Sequence, residues 1–203
     1  MAKTKDKKAE TRQKMLAAAG KKFRAHGYAG IGVDGIAKAA SVTSGAFYAH
    51  FGSKDGAFSA ALAAGLDEVI NAIPVFQREN GVDWVQAFAD YYLGSAHRHD
   101  LEEGCAMTTL SPEVVRTGAA VHQAYEEKMR IIVERITHGL ATSADTQEAD
   151  NRDARAWAML GTLIGGLTVA RAVDDRALAN TIATSLRHAA VQTAGPTRDV
   201  RTV

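Results

Sequence analysis

The stretch VDGIAKAASVTSGAFYAHF, residues 33–51, decides the fold of this chain. Apolar residues at spacings of three and four predict a first short helix with one buried face. These residues are Val33, Ile36, Ala37 and Ala40. After a break at Ser41-Val42, a second short helix is predicted to start near Thr43, with only Phe47 and Phe51 facing inward. Two such helices joined by a tight turn form a helix-turn-helix, whose second helix enters the DNA major groove.

The charge of the chain is divided unevenly along its length. Residues 1–60 hold eleven basic and four acidic residues, a formal charge of +7, whereas residues 61–203 hold thirteen and nineteen, a charge of −6. A basic first part before an acidic body indicates a polyanionic partner for the first part only. The basic segment Lys3–Lys8 is interpreted either as a solvated tail or as an arm that contacts phosphates.

Cysteine content and hydropathy predict a cytoplasmic protein. Cys105 is the only cysteine, which excludes a disulfide within the chain. The basic N-terminus lacks the apolar segment of a secretory signal. The uncharged run Ala156–Ala170 is shorter than the ~20 residues that span a bilayer. We therefore expect no membrane partner.

Helical periodicity continues on both sides of the central stretch. A helix over Lys8–His26 is predicted to end at Gly27, and another is predicted to begin after Ser53 and to end before Pro74. In the body we predict helices over Asp83–His97, Cys105–Leu110, Gly118–Leu140, Arg152–Val173 and from Asp175 to about Val191, with a polar loop over Ala141–Asp150. The expected fold class is all-α, with a helix-turn-helix domain over residues 1–53 and a second helical domain over residues 54–195.

The helix over Arg152–Val173 contains three glycines, each of which costs helix stability by about 1 kcal/mol. Gly161 and Gly165 are four residues apart on one face, where they permit the close approach of another helix.

A family resemblance rests on residues 23–58, FRAHGYAGIGVDGIAKAASVTSGAFYAHFGSKDGAF, which closely resemble the DNA-binding domain of the TetR (tetracycline-repressor-like) family. The matching residues are Phe23, Gly27-Tyr28, Val33, Ile36-Ala37, Ala40, Val42, Gly45, Phe47-Tyr48, His50-Phe51, Ser53-Lys54 and Phe58. In the body, only the helix pattern and Gly104-Cys105 are similar to the family.

This resemblance implies about nine helices, a ligand cavity in the middle helices and a homodimer formed by the last two helices. It implies a repressor that a small-molecule effector releases from a palindromic operator in double-stranded DNA. Two departures stand out. Gly32 replaces the hydroxyl residue that often contacts a phosphate, and Ser41 replaces the glycine of the turn, where a left-handed conformation costs more for serine.

The residues expected to contact DNA surround the second helix. Small side chains permit close approach to the groove, hydroxyls serve bases or phosphates, and basic groups serve phosphates. The predicted DNA-binding set is Lys38, Thr43, Ser44, Gly45, Ala46, Tyr48, His50 and Lys54. Because this helix has no Arg or Gln to read a base bidentately, specificity is expected to depend on Lys38, on the N-terminal tail or on DNA shape.

The effector cavity and the dimer interface are predicted on the body. Aromatic and Met side chains on facing helices can enclose an apolar molecule, which Tyr hydroxyls or His122 would orient. The predicted ligand-binding set is Trp84, Phe88, Tyr91, Tyr92, Met107, Leu110, His122, Tyr125, Met129 and Trp157. The predicted dimerisation set is Trp157, Gly161, Ile164, Gly165, Thr168, Leu178 and Ile182.

Three alternative functions remain open: an enzyme that uses the same cavity, an architectural DNA binder without a ligand, and a repressor that senses oxidants or electrophiles through Cys105. No catalytic constellation supports the enzyme. The neighbouring Glu102 and Glu103 oppose ionisation of the Cys105 thiol. His97 and His99 are two apart and do not face each other on a helix, so we predict neither a metal site nor a cofactor.

Overall fold

The structure is a computed structural model that describes residues 2–142 and 151–202, with the backbone alone for residues 2–6 and 202. The all-α prediction is confirmed: these ranges contain ten α-helices, two 3₁₀ turns and one isolated bridge between Leu140 and Thr197. The predicted loop Ala141–Asp150 lies outside the described residues from position 143 onward.

The helices follow one another with short connections. They are α1 (Ala2–His26), α2 (Val33–Ala39), α3 (Ser44–Phe51), α4 (Lys54–Asn80), α5 (Trp84–Tyr92), α6 (Ser95–His99), α7 (Ala106–Val114), α8 (Ala119–Gly139), α9 (Arg152–Ala172) and α10 (Arg176–Ala194). The 3₁₀ turns are Gly81–Asp83 and Val200–Thr202.

The chain forms two compact units, neither of which is one continuous segment. The first unit contains Met1–Leu66 and Leu101–Tyr125, and the second contains Asp67–Asp100 and Glu126–Val203. The domain boundary predicted at residues 53 and 54 stays a prediction.

In the first unit, an aromatic cluster joins α1 to the start of α4. The Phe23 and Phe58 rings meet edge to face with centroids 5.4 Å apart, and Tyr28 packs against both. Phe23, Ile36, Phe47 and Phe58 are all almost fully buried. Edge-to-face pairs are a favourable arrangement for aromatic rings, so this cluster fixes the helices that precede and follow the helix-turn-helix.

The turn between α2 and α3 has the geometry of a Schellman motif. The Val42 N–H donates to the Ala37 carbonyl at 3.0 Å, and the Ser41 N–H donates to the Lys38 carbonyl at 3.0 Å. Ser41 has a φ of 56°, and it is the only non-glycine residue with positive φ among the described residues. Ser41 therefore has the left-handed conformation that costs serine more than glycine.

Replacing Ser41 by glycine should raise the free energy of unfolding by up to about 1 kcal/mol, because glycine adopts positive φ without a steric penalty. Urea titration measures the change. The control is Ala39→Gly, at an exposed position of α2. This variant should instead lower the free energy of unfolding by about 1 kcal/mol. Two changes of the same sign would contradict this account of the turn.

In the second unit, the core is organised around Trp84 and the end of α8. Trp84 is fully buried, and its indole Nε1–H donates to the Gly139 carbonyl at 3.0 Å. A Cβ at Gly139 would stand 2.9 Å from the Trp84 ring. Arg155 joins the start of α9 to the end of α10, because its guanidinium donates to the Ala194, Ala141 and Pro196 carbonyls.

Several predicted helix limits are wrong, and packing explains the largest differences. α4 continues through Pro74 to Asn80, and Ile73 and Gln77 on either side of the proline are buried. α7 likewise continues through Pro112. A proline removes one hydrogen bond of a helix, and burial of the flanking residues can offset that loss. The helix predicted over Asp83–His97 is divided at Gly94 into α5 and α6.

One stretch among the described residues, Lys54–His99, contains a window that is long and apolar enough to cross a membrane by length and composition. Within the protein, 39% of this window is buried. Buried core helices of soluble proteins pass the same test, so a single such window is weak support for a membrane span.

Candidate functional site

The helix predicted to read DNA, α3, is capped at both ends by its own sequence. The Thr43 hydroxyl oxygen accepts a hydrogen bond from the Ala46 N–H at 3.2 Å, as an N-cap does. At the other end, Gly52 has a φ of 71° and its N–H donates to the Tyr48 carbonyl. These caps and the buried Phe47 hold the outer face of α3 in a fixed orientation.

The outer face of α3 presents small and hydrogen-bonding side chains. Thr43 and Gly45 are exposed, Tyr48 is 51% exposed, and Ser44, Ala46 and His50 are half-buried. The Ser44 hydroxyl donates to the Asp34 carboxylate at 2.5 Å, an interaction between α2 and α3 that was not predicted. Ser44 is therefore held in place by a neighbouring helix, whereas Thr43 keeps its hydroxyl proton for a partner.

Three basic side chains lie on the helices around α3, namely α1, α2 and α4. Lys38 is exposed in the last turn of α2. The Lys54 ammonium stands 4.3 Å from the centroid of the Tyr28 ring, and the Arg12 guanidinium lies 5.4 Å from that of Phe51. Both are cation–π distances. Sequence reasoning missed Arg12, because its proximity to α3 depends on how α1 packs and not on a local pattern.

Other basic residues of the first unit are already paired. Lys22 contacts Glu102 at 2.6 Å, and Lys21 pairs with Glu103. Hydrogen bonding to Lys22 lowers the pKa of Glu102, and hydrogen bonding to Glu103 raises the pKa of Lys21. Because residues 101–125 carry three acids and one arginine, the formal charge of the unit is +5 rather than +7. The positive charge that remains for DNA therefore lies around α1, α2 and the start of α4.

The ten predicted ligand-binding residues divide between the two units and differ in exposure. Trp84, Phe88, Tyr92, Met107, Leu110 and Met129 are buried. Tyr91 and Trp157 are 57% and 46% exposed, His122 is exposed, and Tyr125 is half-buried. Met107, Leu110, His122 and Tyr125 belong to the first unit, and the other six belong to the second.

Two polar groups of this set already have partners. The Trp84 indole donates to Gly139, as described, and the Tyr125 hydroxyl lies 2.7 Å from the Ser111 hydroxyl. Tyr91 stacks on the His97 ring with centroids 5.4 Å apart. The structure thus accounts for Trp84 as a core residue, and its role towards a ligand stays a prediction.

A cavity of about 650 Å³ lies within the first unit, on residues that sequence reasoning did not select. Its lining contains aromatic rings, methyl groups and three charged side chains, and none of the ten predicted ligand-binding residues. The lining residues are Tyr28, Ala29, Asp55, Phe58, Ser59, Glu113, Arg116, Thr117, Gly118, Ala119, Ala120 and Val121.

The predicted dimerisation residues of α9 form an open face. Trp157, Gly161, Gly165 and Thr168 are exposed, at spacings that place them on one side of the helix. Within residues 7–142 and 151–201, a Cβ added at Gly161 or Gly165 would meet no atom within 4 Å. Ile164 of α9 is half-buried, and on α10 Leu178 is 48% exposed and Ile182 is half-buried. A second helix can therefore approach this part of α9 without displacing any side chain that the structure describes.

Histidine and acidic residues form no close cluster in the described ranges, where no three His, Cys, Asp or Glu side chains could hold a metal ion together. His97 is buried, and its Nδ1–H donates to the Tyr92 carbonyl at 2.8 Å. Burial is the main cause that lowers the pKa of this imidazole. A neutral, hydrogen-bonded His97 fits a core residue.

Two family models match the chain, in its first and second parts. The model described as bacterial regulatory proteins of the tetR family matches residues 15–61. The model described as the C-terminal domain of tetracyclin repressor-like proteins matches residues 81–186. No curated protein matches the chain.

Solved structures of similar fold have low sequence identity. A TetR transcriptional regulator from Chloroflexus aurantiacus J-10-FL is 23% identical, with a TM-score of 0.70 over 95% of this chain and 99% of that one. A regulator of the same description from Cytophaga hutchinsonii is 20% identical, with a TM-score of 0.72 over 94% and 96%. The reduced form of E. coli NemR is 20% identical, with a TM-score of 0.70 over 88% and 96%. At these identities, the likeness concerns the fold alone.

Proposed function

The chain belongs to the TetR family of bacterial transcriptional regulators, and we propose that it is a homodimeric, cytoplasmic repressor that a small, largely apolar effector releases from a palindromic operator. Regulators of this family bind DNA and are generally not enzymes. The operator, the effector and the direction of regulation are the parts that we propose for this chain.

The proposal that the chain binds DNA rests on the outer face of α3. Its residues are small, so the helix backbone can approach the major groove closely, and Ala46 offers a methyl group to a thymine. We assign Tyr48 and His50 on this face, and Lys54 after it, to phosphate contacts. Lys38 is assigned to specificity, and Arg12 of α1 is a further basic group near α3. The capped ends of α3 support this role, because a fixed helix loses little entropy when it binds.

The open face of α9 supports the proposal of a dimer. An exposed tryptophan beside two accessible glycines is typical of a surface that another helix covers. Twofold pairing through α9 and α10 would present two α3 helices to half-sites about one turn of DNA apart, ~34–36 Å.

The effector is proposed to bind among the predicted residues of the second unit, where Trp84, Phe88, Tyr92 and Met129 are buried. An apolar effector fits side chains of this kind. It would release the operator only through a higher affinity for the conformation that does not bind DNA.

The contact set predicts how variants bind DNA. Tyr48→Phe and Lys54→Ala should each weaken operator binding by about three- to thirtyfold, because each removes one phosphate contact, and Lys54→Ala should reduce the salt slope by about one. The measurement is fluorescence anisotropy with a labelled operator fragment at several salt concentrations.

Lys128→Ala is the matched control, because it removes a lysine that lies on α8 and pairs with Asp67. It should leave the salt slope unchanged. Operator binding that is equal in the wild type, Tyr48→Phe and Lys54→Ala would rule out the contact set.

A redox- or electrophile-sensing repressor is the alternative, with Cys105 as the sensor. Cys105 is half-buried at the N-cap of α7. If Cys105 is the sensor, N-ethylmaleimide, which alkylates a single thiol, should release the wild-type protein from its operator and leave Cys105→Ser bound. Equal release of both would exclude this alternative.

Footprinting tests the other alternative, an architectural DNA binder. Such a protein would protect a broad stretch of DNA, whereas a regulator would protect a single palindrome.

A further inference from the structure

We propose that the cavity of about 650 Å³ in the first unit is a binding site for a small apolar amine in its protonated form. This inference goes beyond the proposed function, because the site uses none of the residues predicted for the effector and requires no response of the operator. It rests on the shape, the composition and the charge of the lining.

The cavity is built from three separate segments of the first unit. Tyr28 and Ala29 follow α1, residues 55–59 begin α4, and residues 113–121 contain the end of α7, the following turn and the start of α8. The volume lies within the range of about 300–1,000 Å³ that is typical of small-molecule sites. A smaller void between Leu62 and Leu66 of α4 and Tyr125 of α8 shares Ser59 and Val121 with it, and so continues the apolar wall inward.

Most of the lining is apolar. Phe58 and Tyr28 supply aromatic rings, and Ala29, Ala119, Ala120 and Val121 supply methyl groups. An occupant with a hydrophobic body therefore matches most of this surface.

The charged side chains of the lining determine which sign of charge on the ligand is favoured. Asp55 and Glu113 contribute two negative charges, and Arg116 contributes one positive charge. The Arg116 guanidinium donates a hydrogen bond to the Pro112 carbonyl at 2.9 Å. The lining residues therefore carry a net charge of −1, with the Lys54 ammonium outside the lining at the Tyr28 ring, so a cation is favoured at the two carboxylates.

Each of the two carboxylates has an oxygen that can accept a hydrogen bond from a ligand. Asp55 Oδ1 accepts from the Tyr28 hydroxyl, and Glu113 Oε1 accepts from the Tyr28 N–H at 3.4 Å. Among the described residues, no donor meets Asp55 Oδ2 or Glu113 Oε2. The hydrogen bond to Asp55 raises the pKa of the Tyr28 hydroxyl, so this phenol stays neutral in the site. A protonated amine donates to carboxylate oxygens without displacing either existing bond.

The test compares two probes that differ only in their polar end. 4-Phenylbutylamine is a cation at pH 7, since an aliphatic amine titrates near the pKa of lysine, and 4-phenylbutan-1-ol is its neutral counterpart. Calorimetric titration of the full chain should show amine binding that is tighter than alcohol binding by about tenfold. Equal affinities would overturn the assignment of a cation, and no amine binding at millimolar concentration would overturn the site.

Two sets of variants test the location. The Asp55→Asn, Glu113→Gln double variant keeps acceptors for Tyr28 and should bind the amine about tenfold more weakly, whereas Glu127→Gln, an exposed acid of α8 outside the lining, should bind it as the wild type does. Ala120→Trp fills the cavity from an exposed position and should abolish binding, whereas Gln123→Trp, outside the lining, should not. Unchanged amine affinity in either cavity variant would place the binding elsewhere and overturn the proposal.

Discussion

Replacing Gly165 by arginine is expected to leave a monomer in solution and to lower the affinity for a palindromic operator by about a hundredfold or more. Loss of the dimer removes the second α3 from the complex. Two linked binding modules exceed the affinity of one by about 10²–10⁴-fold, so the loss should be of this order. Sedimentation gives the mass, and fluorescence anisotropy gives the operator affinity.

The physical reason lies in the open space at this glycine. A Cβ at Gly165 meets no atom within 4 Å, so the isolated chain accommodates a larger side chain. In the proposed dimer, the partner's helix would occupy that space, and the arginine would have to be buried without a partner charge. The free energy of unfolding of the monomer should therefore not fall, and loss of the mid-helix glycine should raise it by up to about 1 kcal/mol.

Gln123→Arg is the control, because it adds the same charge at an exposed position of α8. It should remain dimeric and bind the operator as tightly as the wild type. If Gly165→Arg sediments as a dimer at micromolar concentration, α9 does not form the interface.

Replacing Trp84 by alanine is expected to cost about 3–5 kcal/mol of the free energy of unfolding. The ring is fully buried, and its removal leaves a cavity and a Gly139 carbonyl without the indole donor. This cost is a large part of the ~5–15 kcal/mol that stabilises a typical protein. Urea titration at one fixed protein concentration measures it, because dimer formation makes stability depend on concentration.

The control for Trp84 is Val115→Ala, at a position that is 74% exposed. Its free energy of unfolding should stay within about 0.5 kcal/mol of the wild type. A cost below about 1 kcal/mol for Trp84→Ala would show that this tryptophan is not part of the core.

Local patterns predicted the helix-turn-helix well because its geometry is set by near neighbours. The spacing of Phe47 and Phe51 gave the inner face of α3, and the break at Ser41 is a left-handed residue with the hydrogen bonds of a Schellman motif. Pro74 and Pro112 were interpreted as helix ends because the sequence shows the lost donor but not the burial of the flanking residues that maintains the helix.

The candidate sites could be predicted only in part because contacts between distant segments define them. Trp84 is of a residue type that often lines ligand cavities. Its indole donates a hydrogen bond to the carbonyl of Gly139, 55 positions away, and this contact between distant segments makes it part of the core. The cavity of the first unit combines three segments whose individual residues are unremarkable. On α9, in contrast, Gly161 and Gly165 lie on one helix face, so periodicity alone was enough to select them.

The most direct test of the central claim is selection of bound DNA from a random pool by the full chain. A dimer with two α3 helices predicts one enriched inverted repeat, with half-sites centred about one helical turn, ~10–10.5 base pairs, apart. Enrichment of no motif, or of a single half-site without its inverted copy, would contradict the proposal of a dimeric regulator that binds a palindromic operator.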